Sequence, residues 1–171
     1  LKQLSSCEVV IHEQDAKVIN ARYFAPKPLA DDMSKFMEYN GVPPLDTSKL
    51  SQGSMGMLGN VAPVPPDTQV KGGEVIKVGD FDWQIIWTPG HSPGHICLYE
   101  PNRKILITGD HVLPTITPNV SINSQTHGSP LGDYMRSLEL LEELDVDWVL
   151  PAHEFEIRDL KKRLREIESH H

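Results

Sequence analysis

Between residues 74 and 109 four short apolar runs follow one another, separated only by turn residues: "EVIKVG", "DWQIIW", "HICLYE" and "KILITG". Each is rich in β-branched and aromatic residues and has the length of a strand rather than a helix. "PNR" at 101–103 makes a hairpin of the last two. A chain with this segment at its centre is committed to a sheet. Beyond it the pattern turns helical. Ser129-Pro130 supplies an N-cap with proline at the first helical position, and Tyr134, Leu138, Leu141 and Leu144 then share one face. "DWVLP" reads as a further strand ended by Pro151. The tail "EIRDLKKRLREIESHH" sets Ile157, Leu160, Leu164 and Ile167 on one stripe with charges elsewhere.

Upstream the pattern is weaker. "CEVVI" (7–11) reads as a buried strand, while "HEQDAKVI" and "ADDMSKFMEYN" read as helices. Residues 41–70 hold "GVPPL" and "APVPPD" and read as a loop or helical insertion. Strands and helices in this order predict layered α/β packing. At 171 residues the chain is about one domain. Its formal net charge of -8 argues against a nucleic-acid partner, and no apolar run is long enough for a membrane span. Two cysteines, Cys7 and Cys97, make no disulfide framework, and no signal peptide is visible, so a cytoplasmic location is expected.

Three places share one local grammar: a strand, a small or proline-containing turn, then a metal-type ligand. "IIWTPGH" ends in His91, "ILITGD" in Asp110 and "WVLPAH" in His153. Strand ends in one sheet lie side by side, so the three side chains can converge at one edge. Imidazole nitrogen and carboxylate oxygen suit zinc, and with less preference iron or manganese. Singly, each has a plain explanation as a solvent-facing histidine or a turn aspartate; in sequence order, each after an apolar strand, they point to a metal site.

"TPGHSPGH", "LITGDHVL" and "VLPAHE" resemble metal motifs of the metallo-β-lactamase superfamily, most closely its glyoxalase II-like and lactamase-like hydrolases. The likeness is strong over 64–171 and looser before that. It implies an αββα sandwich, a small-molecule substrate, and a site where His91 binds one metal, Asp110 bridges two and His153 binds the second. Two zinc ions would share a hydroxide that attacks an ester, thioester or related bond. The alternatives are an RNA phosphodiesterase of the same superfamily and a non-catalytic binding or scaffold relative. Asn123 and His127, in the polar segment after Asp110, are expected to contact substrate. His95 and His111 are expected in supporting rather than ligating roles, and Cys97 in the core. The "RDLKKRLR" cations read as a solvated face.

Two departures from the family pattern stand out. Glutamate follows "PAH", where the commoner form is glycine-rich. The family's histidine-x-histidine-x-aspartate-histidine motif occurs nowhere, and His12 has no partner at that spacing. The expectation is therefore a truncated domain over 1–171, lacking its N-terminal strands and first metal motif. Alone it should be inactive, and it should self-associate through the edges left unpaired.

Overall fold

The computed structural model describes residues 2–44, 46, 47, 49, 50, 53 and 62–171. The chain divides into two compact units, Leu1–Gln69 with Ile122–Thr126, and Val70–Ser121 with His127–His171.

The first unit is built of short pieces. Helix α1 (Lys2–Ser5) precedes strand β1 (Val10–His12), helix α2 (Glu13–Ile19), a π-helical turn (Asn20–Phe24) and helix α3 (Pro26–Tyr39). β1 pairs with β2 (Thr68–Val70) in a two-stranded sheet. The strand expected over 7–11 is thus displaced: only Val10 and Ile11 of it are strand, and Cys7 is exposed. Its partner is also three residues long. His12 ends β1 and caps the next helix, its Nδ1 accepting the Gln14 N–H at 3.2 Å. α3 starts before the expected "ADDMSKF" segment, because Pro26 and Pro28 fall in the first turn, where a missing N–H costs no helical bond. Of the expected loop or insertion at 41–70, the pieces described at 44, 46, 47, 49, 50 and 53 are helical. Much of the rest lies outside the described residues.

The second unit carries the sheet. Strands β3 (Val75–Val78), β4 (Phe81–Trp87), β5 (Ile96–Glu100), β6 (Ile105–Gly109) and β7 (Trp148–Pro151) lie in the order β3-β4-β5-β6-β7. The first four form an antiparallel meander, and β7 joins β6 in parallel after helix α4 (Pro130–Glu142). Ser129 caps α4 as its sequence suggests, accepting the Gly132 N–H at 3.2 Å. Register puts Tyr99, Leu106 and Val149 in one row. With Cys97 they pack against Tyr134, Leu138 and Leu141 of α4 and against Leu160, Leu164 and Ile167 of helix α5 (Leu160–His170). Every one of these side chains is buried. Ile157 belongs to this core but not to the helical stripe expected for it. It bridges Val149 in antiparallel fashion, and α5 starts only after Asp159, whose carboxylate accepts the Lys162 N–H.

Candidate metal centre

Strand direction explains why three distant residues meet. β4 and β6 are each antiparallel to β5, so they run alike, and β7 is parallel to β6. The C-terminal ends of β4, β6 and β7 therefore lie at one edge of the sheet. His91, Asp110 and His153 each follow one of those ends.

Each turn is fixed locally. After β4 the loop 88–95 is closed by Thr88 N–H to the His95 carbonyl at 2.9 Å and Trp87 Nε1–H to the Pro93 carbonyl at 2.9 Å. Ser137 Oγ of α4 donates to the Pro89 carbonyl at 2.9 Å. Gly90, at φ +150°, lies so close to α4 that a Cβ there would stand 2.6 Å from the Tyr134 Cβ. No side chain fits, so glycine is required immediately before His91. Gly109, at φ +52°, makes the turn before Asp110. The turn after β7 is tied to it by Ala152 N–H donating to the Gly109 carbonyl at 2.8 Å.

The Asp110 carboxylate stands between the two imidazoles. Its Oδ2 is 3.6 Å from His91 Nε2 and its Oδ1 is 3.1 Å from His153 Nε2. His91 Nδ1 lies 3.0 Å from the Asn119 carbonyl, which can only accept, so that nitrogen carries the proton. In the neutral ring Nε2 then presents a lone pair to a carboxylate. Two acceptors facing one another repel unless a proton or a cation lies between them. Asp110 Oδ1 is itself buried and accepts no hydrogen bond. Ring nitrogen and carboxylate oxygen are also the donor atoms of zinc sites, with bonds of about 2.0–2.2 Å. On these grounds the three residues fit a metal. Among the described residues, however, no three such side chains close into a cage around one point. The arrangement is a chain of three with the aspartate in the middle.

His95 and His111 stand beside this group. His95 Nδ1 pairs with Thr88 Oγ1 at 2.8 Å, and its ring stacks on His111 with centroids 5.3 Å apart. His111 is fully buried, packs edge-on against Tyr134, and has no hydrogen-bond partner at either ring nitrogen. Burial, helped by the neighbouring His95 and His91, pulls its pKa down to about 3. It is a neutral, packed ring at neutral pH.

His91, Asp110 and His153 are thus brought together. His127 is exposed. Asn123 belongs to the first unit, where its Oδ1 accepts the Gln125 N–H at 2.8 Å and helps close a turn. Two residues beside the group, in space or along the chain, were not singled out as functional by the sequence. One is Asn119, which acts through its backbone and so leaves no side-chain signal. The other is Glu154, visible beforehand only as the glutamate out of place after "PAH".

Known proteins share sequence and fold with this chain. The human acyl-coenzyme A thioesterase MBLAC2 is 36% identical over 97 residues, which is 54% of this chain and 33% of that protein. The metallo-beta-lactamase family protein TTHA1429 from Thermus thermophilus superposes with a TM-score of 0.78 at 26% identity, covering 96% of this chain and 52% of that one. TTHA1623, solved in a di-iron-bound form, shares the fold at 17% identity, with a TM-score of 0.56 over 98% of this chain and 65% of that one. The chain therefore spans about a third of the curated relative and about half of the first of these structures. The family model of the metallo-beta-lactamase superfamily matches residues 8–153, and the chain belongs to that superfamily.

Proposed function

We propose that this chain carries part of a dinuclear zinc site that hydrolyses a thioester or a related ester. The observation that carries the reading is the Asp110 carboxylate, one oxygen toward His91 and the other toward His153, at the ends of three like-directed strands. Such a carboxylate can serve two cations at once, and each imidazole adds a neutral donor to one of them. When bound, the ions would supply an acidified water and polarise the carbonyl to be attacked. The chain's own residues orient and hold: Asn119 fixes the ring of His91, and the Ala152–Gly109 bond holds the last two turns together. The thioester preference follows from the named activity of MBLAC2 over the matched segment.

RNA as substrate has less support. Of the five cations of "RDLKKRLR", Lys162 and Arg163 pair with Glu166, and Arg165 with Glu142, so three of them already face an acidic side chain.

Three donors are few for two ions, each of which takes about four ligands. The chain alone is therefore expected to bind zinc weakly and to leave acyl-thioesters intact. Calorimetric titration checks this, and one equivalent bound below about micromolar Kd would overturn it. A form of the protein that also supplies a histidine-x-histidine-x-aspartate-histidine motif should bind two ions and hydrolyse acyl-coenzyme A. Asp110→Ala in that form should be the most damaging of the ligand changes, because both ions lose a neutralising donor. Full activity in Asp110→Ala, or no metal in the unsubstituted form after zinc supplementation, would sink the reading.

A further inference from the structure

Glu154 follows His153 directly and holds φ +70°, a left-handed backbone that a non-glycine residue rarely adopts. Such a conformation persists where the surroundings over-determine it. Here Thr115 holds the side chain at both carboxylate oxygens. Glu154 Oε1 accepts the Thr115 hydroxyl at 2.6 Å, and Oε2 accepts the Thr115 N–H at 3.1 Å. Thr115 lies in "LPTITPN", a segment held between Pro114 and Pro118 and strapped to α5 by Arg163. The Arg163 guanidinium donates from Nε to the Leu113 carbonyl at 2.6 Å and from Nη2 to the Ile116 carbonyl at 3.0 Å. The same segment ends at Asn119, whose carbonyl takes the His91 Nδ1–H.

We propose that Glu154 and Thr115 form a clamp that positions His153, and that through the strapped 113–119 segment it sets His153 and His91 relative to one another. The glutamate after "PAH" is on this account a working replacement for glycine. Glycine would make the same turn freely and leave the segment unattached; glutamate makes it under constraint and ties it down. Glu154 is a positioning residue, since it acts through the two imidazoles. The inference rests on the reading of His91 and His153 as metal ligands.

The test uses the whole chain and zinc ion alone, with binding followed by NMR of the histidine ring protons, which reports weak affinities. Glu154→Gly relieves the backbone and removes both acceptors. It should leave the thermal midpoint unchanged or higher, yet weaken zinc binding about 10-fold, the usual scale for residues that orient a ligand. Thr115→Val should weaken zinc binding in the same sense, and Thr115→Ser should hold it within about twofold, since its hydroxyl and N–H are kept. In metal-free protein, amide exchange of residues 113–119 should speed up in Glu154→Gly and Thr115→Val but not in Thr115→Ser. His153→Ala is the control. If it loses zinc while Glu154→Gly and Thr115→Val keep it, the clamp is refuted and the ligand reading stands. If His153→Ala binds zinc as well as the unsubstituted chain, the ligand reading falls and the clamp with it.

Discussion

Among the described residues, the two units of this chain bury very different amounts of apolar side chain. In the second, side chains from β5, β6, β7, α4 and α5 meet in one cluster that includes Leu106, Leu138, Val149 and Leu164, all at most 1% exposed. In the first, the described apolar residues that reach burial are Ala16 and Leu29, while Leu4 and Tyr39 are each 91% exposed. The difference lies in element length. A strand of five residues with a partner on each side offers a continuous row to pack against, whereas a three-residue strand and a helix broken by a π-helical turn do not. Most of the stability is therefore expected in the unit that carries the candidate site.

Core truncation is the sharpest way to break that contrast. Leu138→Ala should cost about 3–4 kcal/mol in urea unfolding, as for a well-packed leucine with no route to collapse. Leu29→Ala, 5% exposed in the first unit, should cost about 2 kcal/mol or less. Equal losses would erase the contrast. Gly90→Ala comes next. Its methyl would meet the Tyr134 backbone Cα at 2.8 Å, so loop and helix must part, and a loss of about 2–3 kcal/mol is expected by the same measurement. A loss under about 0.5 kcal/mol, the range of indifferent surface changes, would show that the loop before His91 is looser than its contacts imply.

The smallest effect concerns the two thiols, one in each unit. Cys7 is exposed and should react readily with iodoacetamide at pH 8. Cys97 is buried, and burial pushes its thiol up to about 12, so it should react only on unfolding. The native state thus keeps the Cys97 proton where an unfolded chain has lost it. Its contribution to stability is intact below the ordinary thiol pKa and is lost as pH rises toward 12. Mass spectrometry of the alkylated chain reads the first expectation directly. Equal labelling of both thiols in native buffer would contradict the packing around β5.

The same contrast explains what could be read from residues alone. β3 to β7 and α4 were legible because their period, turns and caps all agree; Ser129-Pro130 marks the start of α4 to the residue. Ile157 misled because its spacing from Leu160 and Leu164 fits a helical stripe as well as its apolar side chain fits a bridge. Only the contact with Val149 decides it. β1 misled because strand propensity says nothing about the length of the partner. The grouping of His91, Asp110 and His153 was legible because strand ends carry it. The support around them was not. A backbone carbonyl at Asn119 and a left-handed glutamate at 154 depend on where the chain folds back, which no local pattern records.

The parallel pairing of β6 with β7 has a kinetic consequence. β3 to β6 form a meander whose contacts are local and quick to make. β7 can join only after the whole stretch through α4 has crossed back, a long closure whose entropy must be met before any pairing rewards it. His91 and Asp110 should thus find one another early, and His153 should arrive with the slowest step. In pulsed hydrogen exchange during refolding, the β4 and β5 amides should be protected before those of Val149 and Leu150. The centre would then be the last part of the second unit to exist, present only in molecules that have completed their folding.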